Sequence, residues 1–114
     1  MDEILKQTLL YDFYGELLTE HQKSIYEQAV LEDLSLSEVA AQEGISRQGV
    51  HDLIKRCSKA LEGYEEKLHL VARFMSVKQK VHEMDELLTH YEEHDSKELV
   101  ARLKAISGEI IEEL

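Results

Sequence analysis

One stretch constrains this chain more than any other: residues 34–61, LSLSEVAAQEGISRQGVHDLIKRCSKAL. Ser35 followed three residues later by Glu38 has the form of a capping box, in which hydroxyl and carboxylate each satisfy a backbone N–H left open at a helix start. Gly44 then supplies a residue that tolerates positive φ, and Ser46 supplies a second helix cap. Between them, Ala40 is small where two helices must cross, and Ile45, Val50 and Leu53 are apolar where the second helix must lock onto the first. Val39 and Ile54 pack from either side. The spacing predicts a helix-turn-helix with a short first helix ending at Gly44 and a second over roughly 47–60. That second helix turns Arg47, Gln48, His51, Asp52, Lys55 and Arg56 outward, and its capped N-terminus at Ser46 is a natural phosphate contact.

Such a shape commonly reads DNA, yet the chain of 114 residues carries a net charge of -11. The charge is unevenly spread: residues 1–43 hold -8, residues 44–60 hold +3, and residues 61–114 hold -6. Of these three segments only the middle one, with Arg47, Lys55, Arg56 and Lys59 against Asp52, is basic. Four cations on one helix neutralise about two or three phosphates per protomer, which makes a monomer a weak DNA binder at cellular salt. A dimer doubles the contacts, with half-sites about 34 Å apart. The alternative is a helix-turn-helix kept as a scaffold or protein-docking face.

The remaining sequence is helical in pattern. Leu10, Tyr14, Leu17 and Leu18 place a first amphipathic helix over 3–17. Thr19 with Gln22 forms a capping box for a second, from Glu20 to about Asp33, burying Ile25, Tyr26, Ala29 and Val30. From Leu61 a long stripe begins: Tyr64, Leu68, Val71, Met75, then Val77, Val81, Met84, Leu88 and Tyr91. Its three-and-four spacing slips once, between Met75 and Val77, and implies a helix of about thirty residues. HYEEHDS reads as a turn, and Asp95 with Glu98 caps a last helix that buries Leu99, Leu103, Ile106 and Ile110. The two C-terminal helices are expected to pack as an antiparallel hairpin. Phe74, Leu87 and Ile111 fall beside the seam and widen it, which favours self-association.

The run SLSEVAAQEGISRQGVHDLIKRCSKAL resembles the DNA-reading helix-turn-helix of region 4 of bacterial sigma factors. Extended to LLYDFYGELLTEHQKSIYEQAVLEDLSLSEVAAQEGISRQGVHDLIKR, the chain more closely resembles the YlxM-like family of helix-turn-helix proteins of Gram-positive bacteria. That second resemblance covers nearly the whole chain. It implies an all-helical cytoplasmic protein, encoded near components of the signal recognition particle and taking part in regulating that pathway. Two positions depart from a strong DNA reader. Glu43 stands where many such motifs place Leu, and Gly49 lies inside the recognition helix at a cost of about 1 kcal/mol against Ala.

Other residues invite chemistry less strongly. His90, Glu93 and His94 match H-x-x-E-H, a helical zinc-protease signature, but without an enclosing catalytic domain or a third ligand. Cys57 stands beside Arg56 and Lys59, neighbours that depress a thiol pKa, and otherwise serves as a small packing residue. As the single cysteine it forms no internal disulfide. Arg73, Lys78 and Lys80 form a smaller basic cluster. The start, MDEILKQTLLYDF, has acids where a signal peptide needs a basic leader, and no apolar run approaches the roughly 18 residues of a membrane span.

The expectation is an all-α protein: a sigma region 4-like helix-turn-helix body over 1–60 and a helical hairpin over 61–114, which dimerises the protein or continues the same domain. The expected role is a non-enzymatic, cytoplasmic DNA-binding regulator of the signal recognition particle pathway. Ser46, Arg47, Gln48, His51, Lys55, Arg56 and Lys59 would touch nucleic acid. Leu68, Val71, Met75, Val81, Met84 and Leu88 would form the dimer or partner interface. No catalytic residue, metal or cofactor is expected. The alternative is a module that docks on the targeting GTPase or its ribonucleoprotein without binding DNA.

Overall fold

The computed structural model describes residues 2–114, which form helices and the turns between them, with no strand among the described residues. They divide into two compact units, one running through Val71 and one spanning Ala72–Leu114.

In the first unit, α1 (Glu3–Tyr14) tightens into a 3-10 turn at Gly15–Leu17. The tightening shifts the register, so that Leu10, Tyr14 and Leu18 are buried while Leu17, expected on the same face, is exposed. The capping box of Thr19 and Gln22 starts α2 (Glu20–Tyr26), which widens into a π-helical turn at Glu27–Leu31 instead of continuing as a regular helix. Here the Glu32 N–H reaches back five residues to the Glu27 carbonyl at 2.8 Å. Ser35 and Glu38 cap α3 (Leu36–Glu43), and Ser46 caps α4 (Arg47–Leu68). The elements meet as the spacing requires. Ile25, Val39 and Val50 form a fully buried centre, surrounded by Ala29, Leu34, Leu36, Ala40, Ile45, Leu53 and Ile54.

The helix expected to begin at Leu61 does not begin there. α4 continues through Leu61, which is buried, and ends at Leu68; His69 then takes a left-handed conformation (φ 57, ψ 27), and α5 runs over Leu70–Thr89. A break in a helix strands backbone N–H groups at the new start. Here they are satisfied by side chains. The Tyr14 hydroxyl donates to Glu65 Oε1 at 2.6 Å and accepts the Leu70 N–H at 3.1 Å, and the same Glu65 oxygen accepts the Val71 N–H at 2.9 Å. A helical-period stripe carries no record of this latch, because Tyr14 lies far away in sequence.

In the second unit, the remainder of α5 packs antiparallel to α6 (Ser96–Glu113). Ser76 and Lys80, early in α5, reach Glu113 at the end of α6 at 2.5 and 2.8 Å. Asp95 caps α6 by accepting the Glu98 N–H at 3.3 Å. On α6 the seam is as expected, with Ile106 buried and Leu99, Leu103 and Ile110 half-buried. On α5 it is rotated by one position. Leu87 is buried and Val77 and Met84 are half-buried, whereas Val81, Leu88 and Tyr91 are exposed. Lys80 takes the seam position between Val77 and Met84, its stem covered and its ammonium carried to Glu113.

Removing the latch hydroxyl isolates its contribution. Tyr14→Phe keeps the buried ring and leaves the Leu70 N–H without its acceptor, which is expected to cost about 1–3 kcal/mol. Urea unfolding at neutral pH checks this, with a lower midpoint and an unchanged slope as the expected result.

Candidate nucleic-acid interface

Ser46, Arg47, Gln48, His51, Lys55, Arg56 and Lys59 are all exposed, and all lie on or at the start of α4. Two shallow grooves divide this face, one lined by Leu36, Arg47, Gln48 and His51, the other by Asp52, Lys55, Arg56 and Lys59. The helix start is well formed. Ser46 Oγ accepts the Gly49 N–H at 2.9 Å, and a Cβ at Gly49 would stand 3.1 Å from that oxygen, so a side chain there would fit tightly against the cap. Gly44, at φ 69 and ψ 30, closes α3 and turns the chain so that both its own N–H and that of Ile45 bond the Ala40 carbonyl.

Asp52 sits in the middle of the face. Gln48 Nε2 donates to its Oδ1 at 3.0 Å, and His51 Nδ1 lies 3.7 Å from the same oxygen. Asp52, the one acid among the basic groups, therefore orients Gln48 and offsets part of the positive field.

Glu43, the departure just before the turn, has a structural task. Its Oε1 accepts from Ser24 Oγ and from Gln28 Nε2, both at 2.7 Å, and its Oε2 stands 3.8 Å from His21 Nε2. Gln28 is buried and also donates to Ser24 Oγ at 3.1 Å. The carboxylate pins the end of α3 to α2 with hydrogen bonds where Leu would use packing. The bonds from Ser24 and Gln28, helped by His21, hold its carboxyl below the ordinary value. Ser24 and Gln28 stand four residues apart, one helical turn on α2, and that spacing was the available signal for this network.

The other sequence candidates resolve differently. Cys57 is fully buried, and burial pushes its thiol pKa up, so the neighbouring Arg56 and Lys59 do not activate it. His90, Glu93 and His94 are not on a helix: α5 ends at Thr89, and Tyr91–Glu93 form a 3-10 turn, so the two imidazoles lack the one-turn helical register that the protease signature needs. Among the described residues no cluster of His, Cys, Asp and Glu is arranged to hold a metal. The basic cluster is engaged within its own unit, with Lys80 on Glu113 and Lys78 over the Phe74 ring at 5.8 Å. The residues expected to form one interface stripe fall in both units, Leu68 and Val71 in the first and Met75, Val81, Met84 and Leu88 in the second. Val71 is buried in the first unit, Leu68, Val81 and Leu88 are exposed, and Met75 and Met84 are half-buried.

These features define a helix-turn-helix protein, with a capped, exposed recognition helix locked over a short supporting helix. A family profile described as "Putative helix-turn-helix protein, YlxM / p13 like" matches residues 1–103. A UPF0122 protein of Desulforamulus reducens is 43% identical over 98% of this chain and 96% of its own length. One from Caldanaerobacter subterraneus is 47% identical over 76% of this chain and 74% of its own, and one from Bacillus cereus 39% over 93% and 96%. The chain belongs to this UPF0122 family. No described helix is long and apolar enough to cross a membrane.

The Glu43 pin makes stability depend on acid. A carboxyl whose folded pKa lies below its ordinary value of 4.5 stabilises the fold fully above that value, and the contribution is lost as pH falls through the depressed one. Thermal melts from neutral pH downward should therefore lose less stability in Glu43→Gln than in the wild type below about pH 4.5. Equal acid slopes would remove Glu43 from that role.

Proposed function

We propose that this protein is a non-enzymatic cytoplasmic regulator that binds DNA as a homodimer through the outward face of α4, within the signal recognition particle pathway. In this reading residues 1–60 hold the DNA-reading body and 61–114 the dimerising extension. One observation carries the DNA reading: Arg47, Gln48, His51, Lys55, Arg56 and Lys59 are exposed together on one helix, within a stretch of net positive charge on an acidic chain. Phosphate contacts by these cations release counterions and supply affinity, and Gln48 and His51 stand where base edges would be read. The pathway assignment rests on the resemblance of the sequence to the YlxM-like family. A second reading, docking on the targeting GTPase without DNA, is favoured by the acidic excess outside α4, since an acidic surface suits a basic, RNA-binding partner.

Mobility shifts with duplex DNA test the proposal. The double variant Arg47→Ala with Lys55→Ala should bind about thirtyfold more weakly near 0.15 M salt, from two lost phosphate contacts. Asp52→Asn, which removes the one acid from the face and keeps an acceptor for Gln48, should bind about fivefold more tightly. DNA binding unchanged in the double variant would remove α4 from the account. Nuclease-resistant capture of the targeting GTPase, indifferent to both changes, would favour the docking reading.

A further inference from the structure

The second unit has two unlike sides. On α5, going around the helix at about 100° per residue, His82 and Glu86 lie to one side of the seam positions Lys80 and Leu87, and Phe74, Val81 and Leu88 lie to the other. On α6, Arg102 lies to one side of the seam and Val100 and Ile111 to the other. One open groove is lined by His82, Glu86, His90 and Arg102 together, so the polar sides of the two helices coincide. Their apolar sides therefore coincide as well. That face is well exposed: Phe74 40%, Val81 51%, Leu88 52%, Val100 51% and Ile111 71%.

We infer that this face is covered by a second copy of the same chain, with α5 of one copy laid along α6 of the other. The charges at its margin select both the occupant and the orientation. Because the hairpin is antiparallel, with Ser76 and Lys80 beside Glu113, Val81 lies near the level of Ile111 and Leu88 within about a turn of Val100. A two-fold axis parallel to the helices then sets Val81 against Ile111 of the second copy and Leu88 against its Val100. At the outer edge it brings Asp85 beside Lys104 of the second copy. The alternative, with each helix on its own symmetry mate, crowds the two Lys104 side chains against one another. The resulting four-helix arrangement has every neighbouring pair antiparallel.

This deepens the dimeric part of the function proposed above and rests on it. Sedimentation of the full chain tests it. Val81→Asp places a charge in the centre of the contact and should raise the dimer dissociation constant about a hundredfold or more. Helical content by circular dichroism should stay unchanged, because Val81 is exposed within the chain. Glu86→Gln, on the polar side, should leave association as in the wild type. Asp85→Lys and Lys104→Glu should each weaken the dimer, and the two together should restore it. A monomeric wild type overturns both this inference and the dimeric reading. A dimer indifferent to Val81→Asp, or a charge exchange that does not restore association, overturns the inference alone.

Discussion

The structure depends on the burial of Val50 between Ile25 and Val39. That contact sits on the first turns of α4 and fixes the rotation of the helix about its axis. With Val50, Leu53, Ile54 and Cys57 turned inward, Arg47, Gln48, His51, Lys55, Arg56 and Lys59 have no choice but to face solvent. The proposed contact face is thus set by the apolar side. Glu43 and the Gly44 turn then fix where α3 ends relative to α2, and thereby how α4 enters.

Much of this was legible in residues 34–61, where each local signal points to the same fold. The capping residues Ser35 and Ser46, the left-handed Gly44, and the apolar positions of the helix-turn-helix all take the roles their types and spacing imply. What was not legible depended on residues distant in sequence. The extension of α4 to Leu68 and the break at His69 are held by Tyr14, whose hydroxyl serves a helix start more than fifty positions later. The rotated seam of α5 was hidden for a related reason. A lysine at a seam position looks like an interruption until Glu113 is found opposite to receive it. Glu43 looked like a defect in the motif and is part of its frame, pinning α3 to the preceding helix, and Gly49 leaves the Ser46 cap well formed.

On the proposed reading, the same face lets an acidic protein meet a polyanion. Charge is segregated: the cations of α4 are concentrated on one helix, while Lys23 and Lys80 are committed to Glu16 and Glu113. Asp52 moderates the field and holds Gln48 in place. On the proposed reading, so few cations make affinity depend on association and contact geometry more than on net charge.

The central claim, that α4 engages the phosphates of DNA, is tested most directly by the salt dependence of wild-type affinity for a DNA duplex, measured by fluorescence anisotropy. Two or three neutralised phosphates per protomer predict that log K falls with log salt at a slope of about -2 to -3 per protomer. A slope near zero, or no measurable binding at low salt, would contradict the account.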